Sequence, residues 1–538
     1  MKKLFVLLVA LVASLSVMAA ECVIVPRPVS YESQKGKLSL SDKSVVYVAD
    51  KSLVRSATMF CSYVKAEKGV SLSVAEGVAS KKGAITLSID KSLAEEAYTL
   101  EITKKGVVVK GGSEKGVFYG LQSLRQVVFH AKAKGKKAEL PCMVVEDKPH
   151  FGYRGGMFDV CRYMFSVDEV KTFIDILALH KINRFHWHLT EDQGWRIEIK
   201  KYPELTKVGS MRSSTQVGRY SRREKPVLDG KPYGGFFTQE EVRDIVRYAS
   251  ERYIEVIPEI DMPGHMVAAL ASYPELGCTK GPYEVRTIWG ISHDVLCAGR
   301  EYTFKFIEGV LDEVVALFPS KYIHIGGDEC PKHRWKECPD CQKRIADEGL
   351  KDEHELQSYF MKRIEKYLAE KHSRNIIGWD EILDGGVSKT ATVMAWRGAH
   401  RGVMAAKLGN KVIMSPTRYC YLDYCQTSDR EANKEPLAMS LKAKLPIRKV
   451  YSFDPYDKLN EEERKVIVGV QGNLWTEYIP NFKHAQHMLL PRLAAIAETG
   501  WSYGNKDFDD FTRRMHLLRK LYDKCGYNYA PYFFNGIE

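Results

Sequence analysis

From about residue 150 onward the chain repeats one unit. A short run of β-branched and aromatic residues is followed by a longer stretch whose apolar positions fall three and four apart. Eight runs have strand character: Met157–Val160, Arg184–Leu189, Glu255–Ile260, Tyr322–Ile325, Asn375–Trp379, Thr392–Trp396, Lys411–Ser415 and Ile467–Gly472. Short apolar runs predict strands buried on both faces, and the longer spacing predicts helices packed along one stripe. Ser166-Val167-Asp168-Glu169 and Thr238-Gln239-Glu240-Glu241 each place a hydroxyl three residues before a carboxylate. That arrangement caps the exposed amides of a first turn, so helices are expected to start there. Glu301–Phe318 and Leu356–Leu368 continue the amphipathic pattern. Eight strand–helix units predict a (β/α)8 TIM barrel over residues 150–503. An open doubly wound sheet is the alternative, but no glycine-rich phosphate loop opens any of the helices.

The rhythm before residue 150 is different. Ser44–Val48, Ala84–Ile89, Tyr98–Ile102 and Val107–Val109 read as strands, and Leu53–Lys65 and Glu114–Val128 as helices. This predicts a small α/β domain over residues 21–149 that collects no reactive side chains. Residues 504–538 hold one helical stretch and are expected to form a tail packed on the barrel.

At the start, Lys2 and Lys3 precede an apolar run from Leu4 to Ala20 that closes in small residues. That is the pattern of a secretion signal, with cleavage expected near Ala19 or Ala20 and a periplasmic or secreted product. No later stretch is long and apolar enough to suggest a membrane span. The formal charge of +12 becomes +10 once Lys2 and Lys3 are subtracted. Its lysines and arginines are scattered, which argues against a nucleic-acid partner. The densest basic patch, Arg212 to Arg223, reads as a solvated loop. Twelve cysteines in an exported chain permit disulfides, and Cys278 with Cys297, flanking a polar, aromatic-rich loop, is the favoured pair. Cys330, His333, Cys338 and Cys341 imitate a zinc knuckle, but a local disulfide or free thiols are favoured there. His186 and His188 lie two apart on one strand face and have no evident third ligand. They read as hydrogen-bonded barrel residues, and Trp187 and Trp195 as core or rim.

In a barrel of this kind the reactive residues belong at the carboxyl ends of the strands. In chain order these ends carry Asp159 and Arg162, Glu191 and Asp192, Asp261 and His265, Asp328 and Glu329, Trp379 to Glu381, Trp396 and Arg397, Tyr421 and Asp423, and Trp475 with Glu477. Together they describe a polar pocket with an aromatic lining. Indole faces stack on the apolar faces of a pyranose, while carboxylates and a guanidinium grip its hydroxyls. Asp328 and Glu329 are consecutive, and consecutive strand residues face opposite ways. Both reach one ligand only if the chain leaves strand geometry, which Gly326-Gly327 permits.

The motifs Arg154-Gly155-Gly156-Met157-Phe158-Asp159-Val160-Cys161-Arg162, His186-Trp187-His188-Leu189-Thr190-Glu191-Asp192-Gln193, Pro263-Gly264-His265, His324-Ile325-Gly326-Gly327-Asp328-Glu329 and Leu474-Trp475-Thr476-Glu477 resemble glycoside hydrolase family 20, the β-N-acetylhexosaminidases. The likeness runs along nearly all of residues 150–503, and the preceding domain is similar to that family's usual amino-terminal domain. The resemblance implies an exo-acting, retaining enzyme that needs no cofactor or metal and removes terminal β-linked N-acetylhexosamine through the substrate's own acetamido group. It implies Glu329 as general acid and base, and Asp328 as the partner of the acetamido N–H. Tyr421 and Asp423 would hold the acetamido group. Trp379, Trp396 and Trp475 would form the walls, Arg162 and Glu477 would bind the outer hydroxyls, and His265 would link Glu329 to Glu191. The family usually has Asp where this chain has Glu191; the added methylene changes its reach, and Asp192 is placed to share the role. A disaccharide-releasing enzyme of the same family and a catalytically silent glycan-binding barrel are the alternatives. Natural glycan, GlcNAc or GalNAc preference and oligomeric state are not encoded legibly.

Overall fold

The computed structural model describes residues 21–78, 82–133, 137–221, 223–427 and 441–537. Residues 1–20, where a leader is expected, lie outside this set.

All eight expected barrel strands form, at Tyr153–Asp159, Arg184–His188, Glu255–Glu259, Tyr322–His324, Asn375–Trp379, Thr392–Ala395, Lys411–Met414 and Ile467–Leu474. They pair in parallel in chain order, and the eighth returns to the first with Gly469 opposite Tyr153 and Leu474 opposite Phe158, closing the barrel. The first strand starts four residues earlier than its apolar run suggests. Gly155 and Gly156 are strand residues that neighbours have crowded out: a Cβ on Gly156 would lie 2.7 Å from Leu177 Cδ2. Both expected capping boxes are present, at Ser166 with Glu169 and at Thr238 with Glu241. Each supplies two of the amide and hydroxyl contacts that a helix start lacks.

The amino-terminal domain is a mixed sheet in the order Ser30–Ser41, Lys137–Asp147, Tyr98–Ile102, Gly106–Gly111, Ala84–Ile89, Val45–Val48, Ser73–Glu76, with a short strand at Lys132–Ala133 on the side. Helices Val54–Lys68 and Glu114–His130 pack on it. Four strands, Ser30–Ser41, Ser73–Glu76, Lys132–Ala133 and Lys137–Asp147, escaped the sequence pattern. Ser30–Ser41 is polar and exposed over most of its length, burying only Leu38 and Leu40, and Pro141 breaks the run of β-forming residues in Lys137–Asp147.

Buried polar contacts fix this domain to the barrel. Arg154 donates to Glu96 at 2.7 Å, and Lys181 and Trp501 reach the two oxygens of Asp147 at 3.1 and 2.8 Å. The tail forms the helix Phe508–Cys525. Its Arg514 pairs with Glu498 of the last barrel helix at 2.5 Å and donates to the Ile24 carbonyl at 3.1 Å, so it bridges barrel and amino-terminal domain.

Candidate active site

The fourth strand stops at His324, and the backbone then turns sharply. Gly326 and Gly327 have φ of +64° and +102°, and Glu329 itself has φ +44°. A Cβ on Gly326 would stand 1.6 Å from Asp261 Oδ1, so only glycine fits. The turn frees Asp328 and Glu329 from strand alternation and brings both carboxylates to one pocket. His265, at the end of strand three, is also left-handed at φ +53°. A strained backbone at two charged pocket residues marks positions fixed by their surroundings for a purpose.

The pocket encloses about 190 Å³ and is lined by Arg162, His265, Asp328, Glu329, Trp396, Thr417, Tyr421, Asp423, Tyr424, Trp475 and Glu477. Drug-sized ligands usually occupy about 300–1,000 Å³, so this space suits a single sugar ring. Trp396 and Tyr421 stand parallel with ring centroids 6.0 Å apart, and Trp475 packs on Trp379 at 5.8 Å. Outside lies a second cleft of about 810 Å³, bounded by Tyr220, Trp289, His293, Pro331 and Tyr478, which shares only Glu329 and Glu477 with the inner pocket. Glu329 therefore stands at the boundary between the two spaces.

A chain of charged contacts runs from Glu329 into the barrel. His265 Nε2 lies 3.6 Å from Glu329 and 3.8 Å from Asp328, and His265 Nδ1 is 2.7 Å from Glu191 Oε1. Glu191 Oε2 meets Arg162 at 3.0 Å and His188 Nε2 at 3.3 Å. His188 Nδ1 contacts Glu259 in turn. On the barrel floor Glu259 also meets His186 and His324, each at 2.9 Å, and accepts the Trp379 indole N–H at 2.8 Å. Asp192 Oδ2 stands 3.7 Å from His265 Nδ1, a second carboxylate behind the same ring.

The charges follow from this wiring. Burial would favour neutral Glu191, but Arg162 and His265 hold its carboxyl well below the usual range. Burial opposes charge on His265, yet Glu191 and Asp192 hold its imidazole well above the usual value. Asp328 and Asp261 behave in the opposite way. Burial first, and then each other's charge, push Asp328 well above the ordinary carboxyl value, and burial does the same to Asp261, so the pair favours holding one proton. Burial, then Glu477, also raises Asp423. Among the described residues, no group of the chain donates to Asp328 Oδ1 or Asp423 Oδ1, although both are buried. Buried acceptors of this kind want donors, which a bound sugar supplies.

The chain matches the profile of the glycosyl hydrolase family 20 catalytic domain over residues 151–503, and that of the family's domain 2 over residues 21–148. The chain belongs to glycosyl hydrolase family 20. It is 46% identical to a beta-hexosaminidase of Porphyromonas gingivalis over 515 residues, 94% of this chain and 64% of that protein. The chain thus spans just under two thirds of that relative's length. Among solved structures, it resembles a family 20 exo β-N-acetylglucosaminidase from Vibrio harveyi in complex with N-acetylglucosamine. There the TM-score is 0.82 and the identity 31%, covering 95% of this chain and 79% of that one. The β-N-acetylhexosaminidase of Streptomyces coelicolor A3(2) gives a TM-score of 0.80 and 30% identity, over 95% and 97% of the two chains.

In this family 20 barrel, nine of the eleven residues expected at the site line the inner pocket. The other two stand behind it. Trp379 is buried beneath Trp475 with its N–H on Glu259, and Glu191 is buried between Arg162 and His265. The longer Glu191 reaches both Arg162 and His265. Two expectations need correction. Cys278 and Cys297 are not joined in the structure: they share a group with Cys338 and Cys341 in which all four sulfurs lie within 4.8 Å of one another and no pair is bonded. The loop from Arg212 to Arg223 is exposed over residues 217–220 as expected, but its first residue, Arg212, is not. It is buried against the rings of Tyr163, Tyr233 and Trp289 and donates to the Arg162 carbonyl at 2.8 Å, whereas Arg219 and Arg223 are exposed. The sequence marks Asp159 as a strand end without a role; it accepts from Arg162 and from Thr476 N and Oγ1 and so ties strand one to strand eight. Glu259, a buried acid closing an apolar strand, likewise carries no assigned role in the sequence reading, although its charge is the signal. His186 and His188 act as expected of hydrogen-bonded barrel residues. Both contact Glu259, as does His324 through Nδ1, and Gln471 meets His186 Nδ1 at 3.0 Å.

Proposed function

We propose that this protein is an exo-acting, retaining β-N-acetylhexosaminidase that releases terminal GlcNAc or GalNAc by substrate-assisted catalysis. One observation carries the reading: two carboxylates with different surroundings share a one-ring pocket, and the more exposed of them stands where that pocket meets an outer cleft.

The roles follow from position. The terminal sugar sits in the inner pocket against Trp475 and Trp396, and the rest of the glycan extends along the outer cleft. Arg162 and Glu477 close the far end around its hydroxyls, which favours release of one sugar over a disaccharide, while Asp423 helps hold the acetamido group. Asp328 accepts the acetamido N–H, and Tyr421 donates its O–H to the acetamido oxygen. That oxygen attacks the anomeric carbon as the glycosidic C–O bond breaks, and Glu329 gives its proton to the departing oxygen. The oxazolinium cation is balanced by Asp328. Water then enters from the side the leaving group vacated, loses a proton to Glu329 and opens the ring with retained configuration. His265, held by Glu191, orients and buffers Glu329.

Digestion of a defined glycan panel, with products identified by mass, tests the reading: single N-acetylhexosamines released from the non-reducing end are expected. Disaccharide products, or saturable binding without turnover across a broad pH range, would overturn it. We also propose that residues 1–20 direct export. Amino-terminal sequencing of the mature protein should begin near Glu21, and recovery of intact Met1 from the fully processed protein would contradict this.

A further inference from the structure

Two loops that flank the catalytic turn each contribute a pair of cysteines to one cluster. Cys278 and Cys297 come from the segment after strand three, and Cys338 and Cys341 from the segment after strand four. All four sulfurs lie within 4.8 Å of one another. Cys297 Sγ is 3.8 Å from Cys338 Sγ and 3.6 Å from Cys341 Sγ, and Cys278 Sγ is 3.9 Å from Cys341 Sγ. A disulfide bond measures about 2.05 Å, so none of these is one. Four thiolates at about 2.3 Å from a central zinc ion occupy tetrahedron corners about 3.8 Å apart. The observed separations fall around that edge length.

The surroundings suit a bound cation with four anionic ligands. Cys297, Cys338 and Cys341 are buried, and Cys278 is partly exposed. Cys338-Pro339-Asp340-Cys341 has the short spacing of a zinc knuckle, and the helix Pro339–Asp347 begins on it with Cys338 as its cap residue. The first-turn amides and the helix dipole therefore point at the two sulfurs. Arg300 adds a fixed positive charge, with its guanidinium held by Asp340 at 2.5 Å, the Gly277 carbonyl at 2.7 Å and the Cys278 carbonyl at 3.2 Å. Arg300 thereby fastens the Cys278 loop to the helix that carries Cys341.

We propose that Cys278, Cys297, Cys338 and Cys341 form a closed, structural zinc site. Binding exchanges four thiol protons and the ion's water ligands for four sulfur–zinc bonds, with no redox change. Cys330 and His333, which complete a knuckle in sequence, are not ligands: they are outside the cluster, and His333 packs on His293 with centroids 5.6 Å apart. The site's work is mechanical. The segment between Cys278 and Cys297 carries Trp289 and His293 of the outer cleft, and the Cys338 segment continues directly from Glu329. Arg334 to Asp294 at 2.8 Å and the Trp335 indole to the Leu296 carbonyl at 2.9 Å join the same two loops. The ion fastens the cleft wall to the catalytic turn.

The test uses the full mature chain purified without chelator. Elemental analysis should find about one zinc per chain. Iodoacetamide in denaturant with chelator and no reductant should alkylate all four cysteines. The double substitution Cys338→Ser with Cys341→Ser should abolish the zinc. Because that variant is exposed to misfolding, Cys278→His at the accessible corner is the companion: it should retain the metal, and on cobalt loading its thiolate charge-transfer band should weaken relative to wild type. Overturning results are iron in place of zinc, no metal after zinc reconstitution under reducing conditions, or cysteines that alkylate only after reduction, which would make the cluster two disulfides.

Discussion

Replacing Glu259 by glutamine removes one charge from the barrel floor and keeps the side chain's shape. Glu259 meets three imidazoles and the Trp379 indole with no exposure to solvent. Burial disfavours a charged His188, but the Glu259 carboxylate, with Glu191, overrides it and holds the His188 pKa up at about 10. Against an ordinary value of about 6.5, that is a displacement of roughly 3.5 units, or about 5 kcal/mol at about 1.4 kcal/mol per unit. Removing one partner of a buried ion pair costs about 3–5 kcal/mol, so the two routes agree. The folded-state pKa lies above the unfolded one. The His188 contribution is therefore complete below about pH 6.5 and is lost as pH rises through about 10. Urea unfolding followed by tryptophan fluorescence, repeated between about pH 6 and pH 10, reads both effects. Glu259→Gln should begin about 3–5 kcal/mol less stable at neutral pH and should lose less stability than wild type on the alkaline side. A variant as stable as wild type at neutral pH, or two pH profiles that run parallel, would refute the reasoning.

Glu329→Gln should lower kcat/KM by about 10²–10⁴-fold while leaving the unfolding midpoint unchanged, since it removes only the transferable proton. Asp328→Asn should lower kcat by about 10²–10³-fold, yet raise stability. Burial and Asp261 disfavour the Asp328 carboxylate, and a neutral amide relieves both; paired rate and denaturation measurements check the opposite signs. Gly326→Ala forces a Cβ to within 1.6 Å of Asp261 Oδ1 at a φ of +64°, and should cost at least about 1–3 kcal/mol together with most of the activity, as denaturation and aryl-glycoside assays would report.

The barrel was legible because its strands are buried on both faces, so each reads as an apolar run whatever its partners. The strand ends were legible for the complementary reason: a charged or aromatic residue interrupting such a run eight times over has few explanations. Ser30–Ser41 was not legible, because a strand mostly exposed along its length carries no burial pattern. Arg212 looked like surface because its neighbours are surface, and only the folded loop brings three aromatic rings around it. The cysteine cluster joins positions up to 63 residues apart from two loops, an arrangement that spacing along the chain cannot express. Glu191 is an intermediate case. Its extra methylene is visible in sequence, but that one carboxylate spans Arg162, His188 and His265 depends on three strands meeting.

The central claim is that the substrate's acetamido oxygen is the nucleophile, with Asp328 managing it and Glu329 moving protons. A series of aryl β-glucosaminides whose N-acetyl group carries increasing numbers of fluorine atoms tests it directly, because fluorine drains electron density from that oxygen while leaving the sugar's outline nearly unchanged. The account predicts that kcat falls steeply with each fluorine, that the first-formed product keeps the β configuration, and that the plain β-glucoside is barely turned over. Rates indifferent to fluorination, with the glucoside cleaved as fast as the acetamido sugar, would contradict it.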